Sequence, residues 1–113
     1  MELVKDKSII RLLARLKLRL GPNAFEVVDD WDADLFAIGI ARPDKPDVLV
    51  YICTFGRPPD EYFVSLELPP EQPSDLPYRP AGNFEVRGFE ELVAIIRKHF
   101  AEADPSSNRK SRA

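Results

Sequence analysis

The run Val48-Leu-Val-Tyr-Ile-Cys-Thr-Phe55 decides the fold. Its two alternating sets of side chains, Val48, Val50 and Ile52 on one side and Leu49, Tyr51 and Cys53 on the other, are both apolar. A strand apolar on both faces must be covered on both faces, so this one belongs at the centre of a sheet. Upstream lies Leu35-Phe-Ala-Ile-Gly-Ile-Ala41, where the internal Gly39 predicts a bulge or a close backbone contact. Downstream, Tyr62 to Leu68 is rich in the aromatic and branched residues that suit a pleated surface. Ala24 to Val28 makes a shorter run, and Phe84-Glu-Val-Arg87 offers a short fifth strand.

The connectors decide how these strands join. Asp29-Asp-Trp-Asp-Ala-Asp34, Arg42-Pro-Asp-Lys-Pro-Asp47 and Gly56-Arg-Pro-Pro-Asp60 are five or six residues each, too short for the crossover that parallel strands require. An antiparallel meander is the simplest topology. Pro69 to Gly82 carries five of the eleven prolines. Proline lacks the backbone donor that helices and inner strands need, so this segment is expected to be a long loop.

Helices flank the strands. From Ser8 to Leu20, at about 100° per residue, Ile9, Leu12, Leu13, Leu16 and Leu20 share one face, with Lys7, Arg11, Arg15 and Arg19 opposite. Asp6 or Ser8 suits the N-cap, and Gly21-Pro22 stops the helix. Leu18 falls among the basic residues, and the alternating Leu16-Lys-Leu-Arg-Leu20 leaves the end of the helix open. From Phe89 to Ala103, Phe89, Leu92, Val93, Ile96 and Phe100 form a second stripe, with Glu90 and Glu91 in the first turn, where the helix dipole favours them. The expectation is an α+β fold: a four- to five-stranded antiparallel meander sheet with N- and C-terminal helices packed on one face. Residues 1–103 make one domain, and 104–113 read as a disordered basic tail. Two helices over so many strands should leave the other sheet face partly open.

Charge is segregated along the chain. Residues 21–75 hold 12 Asp and Glu against 3 Lys and Arg, a net of −9, whereas the first 20 residues carry +4 and the remainder +2. Gathered on one face, such a field steers encounter with a basic partner. The same field, with a pI near 5.2, argues against nucleic acid. The basic stripe of the first helix then reads as a solvated face. No apolar run approaches the roughly 20 residues of a membrane span. The first residues lack the order of a signal peptide, and the single Cys53 excludes an intrachain disulfide. Cytoplasm is the default location.

Within the acidic connector, Asp30, Asp32 and Asp34 have the alternate spacing of a calcium loop. That loop next requires a glycine and, further on, a bidentate glutamate; Leu35 and Ala41 stand there, so the calcium reading fails. Solvated turn residues, a cation site completed from elsewhere, and a recognition patch with Trp31 as aromatic anchor remain. Trp31 is equally suited to the edge of the core. Cys53 reads as inert core filling, and His99, between Lys98 and Phe100, as a partly exposed residue near a helix end. One thiol and one imidazole cannot assemble a zinc set. No nucleophile elbow frames Ser65, and no glycine-rich phosphate loop occurs. No catalytic residue, metal or cofactor is expected.

The N-terminal helix, the acidic meander with Asp29-Asp-Trp-Asp-Ala-Asp34 and Tyr51-Ile-Cys-Thr-Phe-Gly-Arg-Pro-Pro-Asp-Glu-Tyr-Phe-Val-Ser-Leu-Glu-Leu68, and the closing helix together resemble small bacterial immunity proteins of toxin–immunity systems. The likeness lies in size, layout and acidity, over residues 5–103. It implies a non-enzymatic, protein-binding role: neutralising a basic toxin domain by occluding its active cleft. The partner-binding residues would be Asp29, Asp30, Trp31, Asp32, Asp34, Asp60 and Glu61. In a meander the loop of Asp60 and Glu61 could be placed at the opposite end of the sheet from some of the others. Two further classes stand beside this one. A homo-oligomeric regulatory or structural module would dimerise through an edge strand or the open sheet face. A small carboxylate enzyme would show a concave pocket of acids with raised pKa.

Overall fold

A computed structural model describes residues 4–28, 34–70 and 79–102. In chain order the elements are α1 (Lys7–Leu20), β1 (Glu26–Val28), β2 (Ala37–Arg42), β3 (Lys45–Cys53), β4 (Tyr62–Leu68), β5 (Arg79–Val86) and α2 (Phe89–Glu102). The strands form one sheet in sequence order, every neighbouring pair antiparallel, with β3 at the centre. The expected α+β meander is therefore present. No described helix is long and apolar enough to cross a membrane.

The register explains the core. Ile52 lies between Ile38 of β2 and Val64 of β4, and Val50 between Ile40 and Leu66. These side chains leave the pleat on one side and form a single cluster with Ile9, Leu12, Leu13 and Leu16 of α1 and Leu92, Val93 and Ile96 of α2. Both helices thus cover the same face, where each buried aliphatic side chain contributes about 1.5–3 kcal/mol. On the other face Tyr51, Cys53, Phe63 and Ser65 are half-buried. Burial, followed by the adjacent Cys53, pushes the Tyr51 hydroxyl up to about 12. Cys53 therefore lies outside the core that its apolar strand led us to expect, because its place in the alternation is opposite to that of Ile52.

The α1 N-terminus is capped as expected: an Asp6 carboxylate oxygen accepts from the Ser8 amide (2.9 Å) and the Ser8 hydroxyl (2.7 Å). Those bonds, the hydroxyl's first, hold the Asp6 carboxyl below the usual range. At the other end the helix runs through the alternating segment to Leu20, leaving Leu18 89% exposed on the basic face.

Several local expectations are corrected. The ladder runs unbroken through Gly39, paired with Val28 and Tyr51, and the irregularity falls between Ala41 and Arg42. β3 begins at Lys45, so the second connector shrinks to a Pro43-Asp44 turn, across which Arg42 forks onto Asp44 at 3.0 and 2.7 Å. β5 begins at Arg79 and takes in Pro80, the end of the proline-rich segment. This is possible because β5 is an edge strand, and the β4–β5 ladder shifts register nearby, between Leu66 and Glu67. The remainder of that expected loop, 71–78, and the expected tail at 104–113 lie outside the described residues.

His99 is also corrected. It is 4% exposed, and its Nε2–H donates to the Glu67 carbonyl at 2.9 Å. Burial lowers its pKa, outweighing the opposing effects of the Glu67 and Leu49 backbone groups and of the Glu102 charge. The unfolded chain therefore binds a proton near the ordinary 6.5 that the folded chain resists. This contribution to stability is complete above that pH and is lost as pH falls through the lower folded value. Urea midpoints at about pH 7.5 and about pH 5 should fall for the natural protein and fall less for His99→Gln. The carboxyls whose pKa is lowered, Asp6, Asp44, Glu85 and Glu90, titrate below that window. Equal slopes for the two proteins would refute this role.

Candidate functional site

In a five-stranded meander the first and third connectors emerge from the same end of the sheet. Here β2 starts beside the end of β3 (Ala37 opposite Cys53), and β3 ends beside the start of β4 (Cys53 opposite Phe63). Asp34, Asp60 and Glu61 therefore share one end, so among the described candidates none lies at the opposite end of the sheet from the others. Asp29, Asp30, Trp31 and Asp32 lie outside the described residues.

The start of α1 is stitched to this end. The Asp6 amide donates to the Leu35 carbonyl (2.9 Å), Lys5 Nζ to the Asp34 carbonyl (2.7 Å), and the Thr54 amide to the Phe36 carbonyl (2.9 Å). The Ser8 and Thr54 hydroxyls meet at 2.7 Å. Asp34 also serves its own turn, its Oδ1 accepting from the Phe36 amide at 3.0 Å.

The acidic segment does not make a single face. Glu26, Asp44, Asp47 and Glu67 belong to the opposite end, at the start of β1, the β2–β3 turn, the start of β3 and the end of β4. Asp60 is already paired, accepting from Arg15 Nη1 at 2.6 Å. Its backbone adopts φ +68°, the left-handed region that asparagine and aspartate tolerate best. Asp60→Ala should therefore cost about 1–2 kcal/mol of unfolding free energy and Asp60→Asn well under half of that, most of the loss being conformational. The Arg15 pair, with both side chains more than a third exposed, contributes little. Equal losses for the two variants in urea would show that the backbone is unstrained there.

Sequence reasoning missed Phe55, which reads as the last residue of an apolar strand. In the structure it is 65% exposed, just beyond the end of β3, with its ring against Phe36 edge to face at a centroid distance of 5.3 Å. Leu35, 46% exposed, precedes Phe36 in the chain. Arg57 pins the backbone here: its Nη1 donates to the Phe55 carbonyl (2.9 Å), while its Nε and Nη2 fork onto Glu85 at 2.8–3.1 Å. The signal that could have found it is the Gly56-Arg57-Pro58-Pro59 breaker directly after an aromatic residue.

Comparison with known proteins finds no matching family model, no matching curated protein and no matching solved structure. The site is therefore read from its own geometry.

Between α1 and the β3–β4 connector lies a cleft of about 210 Å³. Ser8, Arg11, Leu12 and Arg15 line it from the helix, Thr54 and residues 57–61 from the connector, and Tyr62 from the start of β4. Arg15 stands 4.0 Å over the Phe89 ring as well as against Asp60. Burial, and then the Asp60 charge, raise the pKa of the Tyr62 hydroxyl at the cleft floor. A larger groove of about 390 Å³ opens at the other end, around Leu20, Ile96 and Phe100, and no candidate residue borders it. Among the described residues, no three His, Cys, Asp or Glu side chains come together as a metal site.

Proposed function

We propose that this is a cytoplasmic, non-enzymatic binding protein that docks a basic protein on the connector end of its sheet, as a toxin-neutralising immunity protein would. The observation that carries this reading is Phe55: a large aromatic ring, 65% exposed, on a backbone held by Arg57, at the same end as Asp34 and Glu61. A ring displayed on a fixed backbone loses little freedom on binding, which is the property of an interface anchor. Carboxylates around it contribute to encounter rate and discrimination among partners. Of the candidate acids that are described, Asp34 and Glu61 serve that role; Asp60 is committed to Arg15.

The alternative of edge-to-edge self-association is less well supported. β1 has three residues, and β5 carries Pro80 and a register shift, features that blunt a sheet edge. The test is capture from the native cell with the full chain as bait, comparing the natural protein with Phe55→Ala at low and high salt. A basic protein held at low salt, released at high salt and lost with Phe55→Ala supports the proposal. Capture unaffected by both changes rejects it.

A further inference from the structure

We propose that the cleft between α1 and the β3–β4 connector binds a free apolar α-amino acid, with Arg11 receiving its carboxylate and Glu61 its ammonium group. Five charged side chains line the cleft, and three are spent: Arg15 on Asp60, Asp60 on Arg15, and Arg57 on Glu85. Arg11, on the helix wall, and Glu61, on the connector wall, have no ion-pair partner among the described residues and are not within 4.0 Å of each other. Among the described residues, one cation and one anion free of salt bridges on opposite walls of the cleft match a zwitterion. It does not match a phosphate, which would need several cations, or a metal ion, which would be repelled by the arginines.

The remaining surface is apolar and preformed. Leu12 and Tyr62, 2% and 4% exposed, make the floor, and Pro58 and Pro59 make a wall that offers no backbone donors. The Ser8 hydroxyl spends its proton on Asp6, so in the Ser8–Thr54 contact Thr54 must donate. Thr54 Oγ1 therefore keeps a lone pair for an ammonium group beside Glu61. The volume, about 210 Å³, lies below the roughly 300–1,000 Å³ of sites for drug-sized ligands and suits a leucine- to phenylalanine-sized molecule. This site shares Glu61 with the proposed docking end but does not include Phe55, and it needs no protein partner.

The test is a titration of the isotope-labelled full chain with L-leucine and L-phenylalanine, followed by amide NMR shifts. Saturable shifts at Thr54, Arg57 and Glu61, with a dissociation constant on the order of 1 mM or tighter, are expected. Arg11→Gln and Glu61→Gln should each weaken binding about tenfold, the scale of one lost charge-assisted hydrogen bond. N-acetyl-leucine, which lacks the ammonium group, should bind the natural protein and Glu61→Gln equally. Leucinamide, which lacks the carboxylate, should bind the natural protein and Arg11→Gln equally. Absence of saturable shifts, or leucine no tighter than its two blocked forms, overturns the proposal. Tighter binding of a leucine peptide capped at both ends also overturns it and makes the cleft a socket for a protein segment.

Discussion

Replacing Ile52 by alanine should lower the free energy of unfolding by about 3–4 kcal/mol, within the usual span for a buried aliphatic residue. Ile52 is fully buried on the central strand, between Ile38 and Val64, beneath both helices. The loss exceeds the transfer free energy of the deleted atoms because the gap cannot close: β2 and β4 are held to β3 at fixed ladder spacing on both sides. Against a typical total of about 5–15 kcal/mol, this shift is easily measured as a lower urea midpoint with unchanged slope. Ile52→Val, which leaves most of the volume filled, should cost about 0.5–1.5 kcal/mol. A loss below about 1 kcal/mol for alanine would mean that the helices do not seat on this face of β3.

Phe55→Ala should do the reverse, leaving stability nearly unchanged while weakening partner binding by about 2 kcal/mol or more, roughly thirtyfold. The ring is mostly in water in the free protein, so little folding free energy depends on it. At an interface it would be the largest exposed apolar side chain removed from solvent among the described residues of this end. The effect should appear in the dissociation rate, since truncating an anchor removes short-range contacts and leaves the field intact. Asp34→Asn combined with Glu61→Gln should instead slow association and flatten its salt dependence. A Phe55→Ala protein that binds as tightly as the natural one would remove this ring as the anchor.

How far such results could be anticipated differs from residue to residue. Val48 to Phe55 is apolar on both alternations, and a strand of that kind has one place in a sheet; its central position was legible without coordinates. The two helices were equally legible, because a stripe repeating every three to four residues has meaning only on a helix. Pro80 in β5 was not, since proline is excluded from inner strands but allowed at an edge, and which strand lies at the edge is a property of the whole sheet. His99 was misread for a related reason. Its neighbours in the chain, Lys98 and Phe100, do not decide its exposure, whereas its burial is set by Glu67 and Leu49, which are remote in sequence.

The candidate site shows the same division. Its acidity was visible as composition, yet composition carries no direction, and the described carboxylates separate to two ends of the sheet. That Asp60 is tied to Arg15, that Phe55 stands out from the strand end on a pinned backbone, and that Arg11 and Glu61 line one cleft without a salt bridge among the described residues are all long-range facts. What the chain determined by itself is which segments become strands and helices and that they join as a meander, because backbone hydrogen bonding and side-chain periodicity act over a few residues. What only the folded molecule decided is which charges neutralise one another and which are left to act, because electrostatic pairing depends on distance in space between groups that the sequence holds far apart.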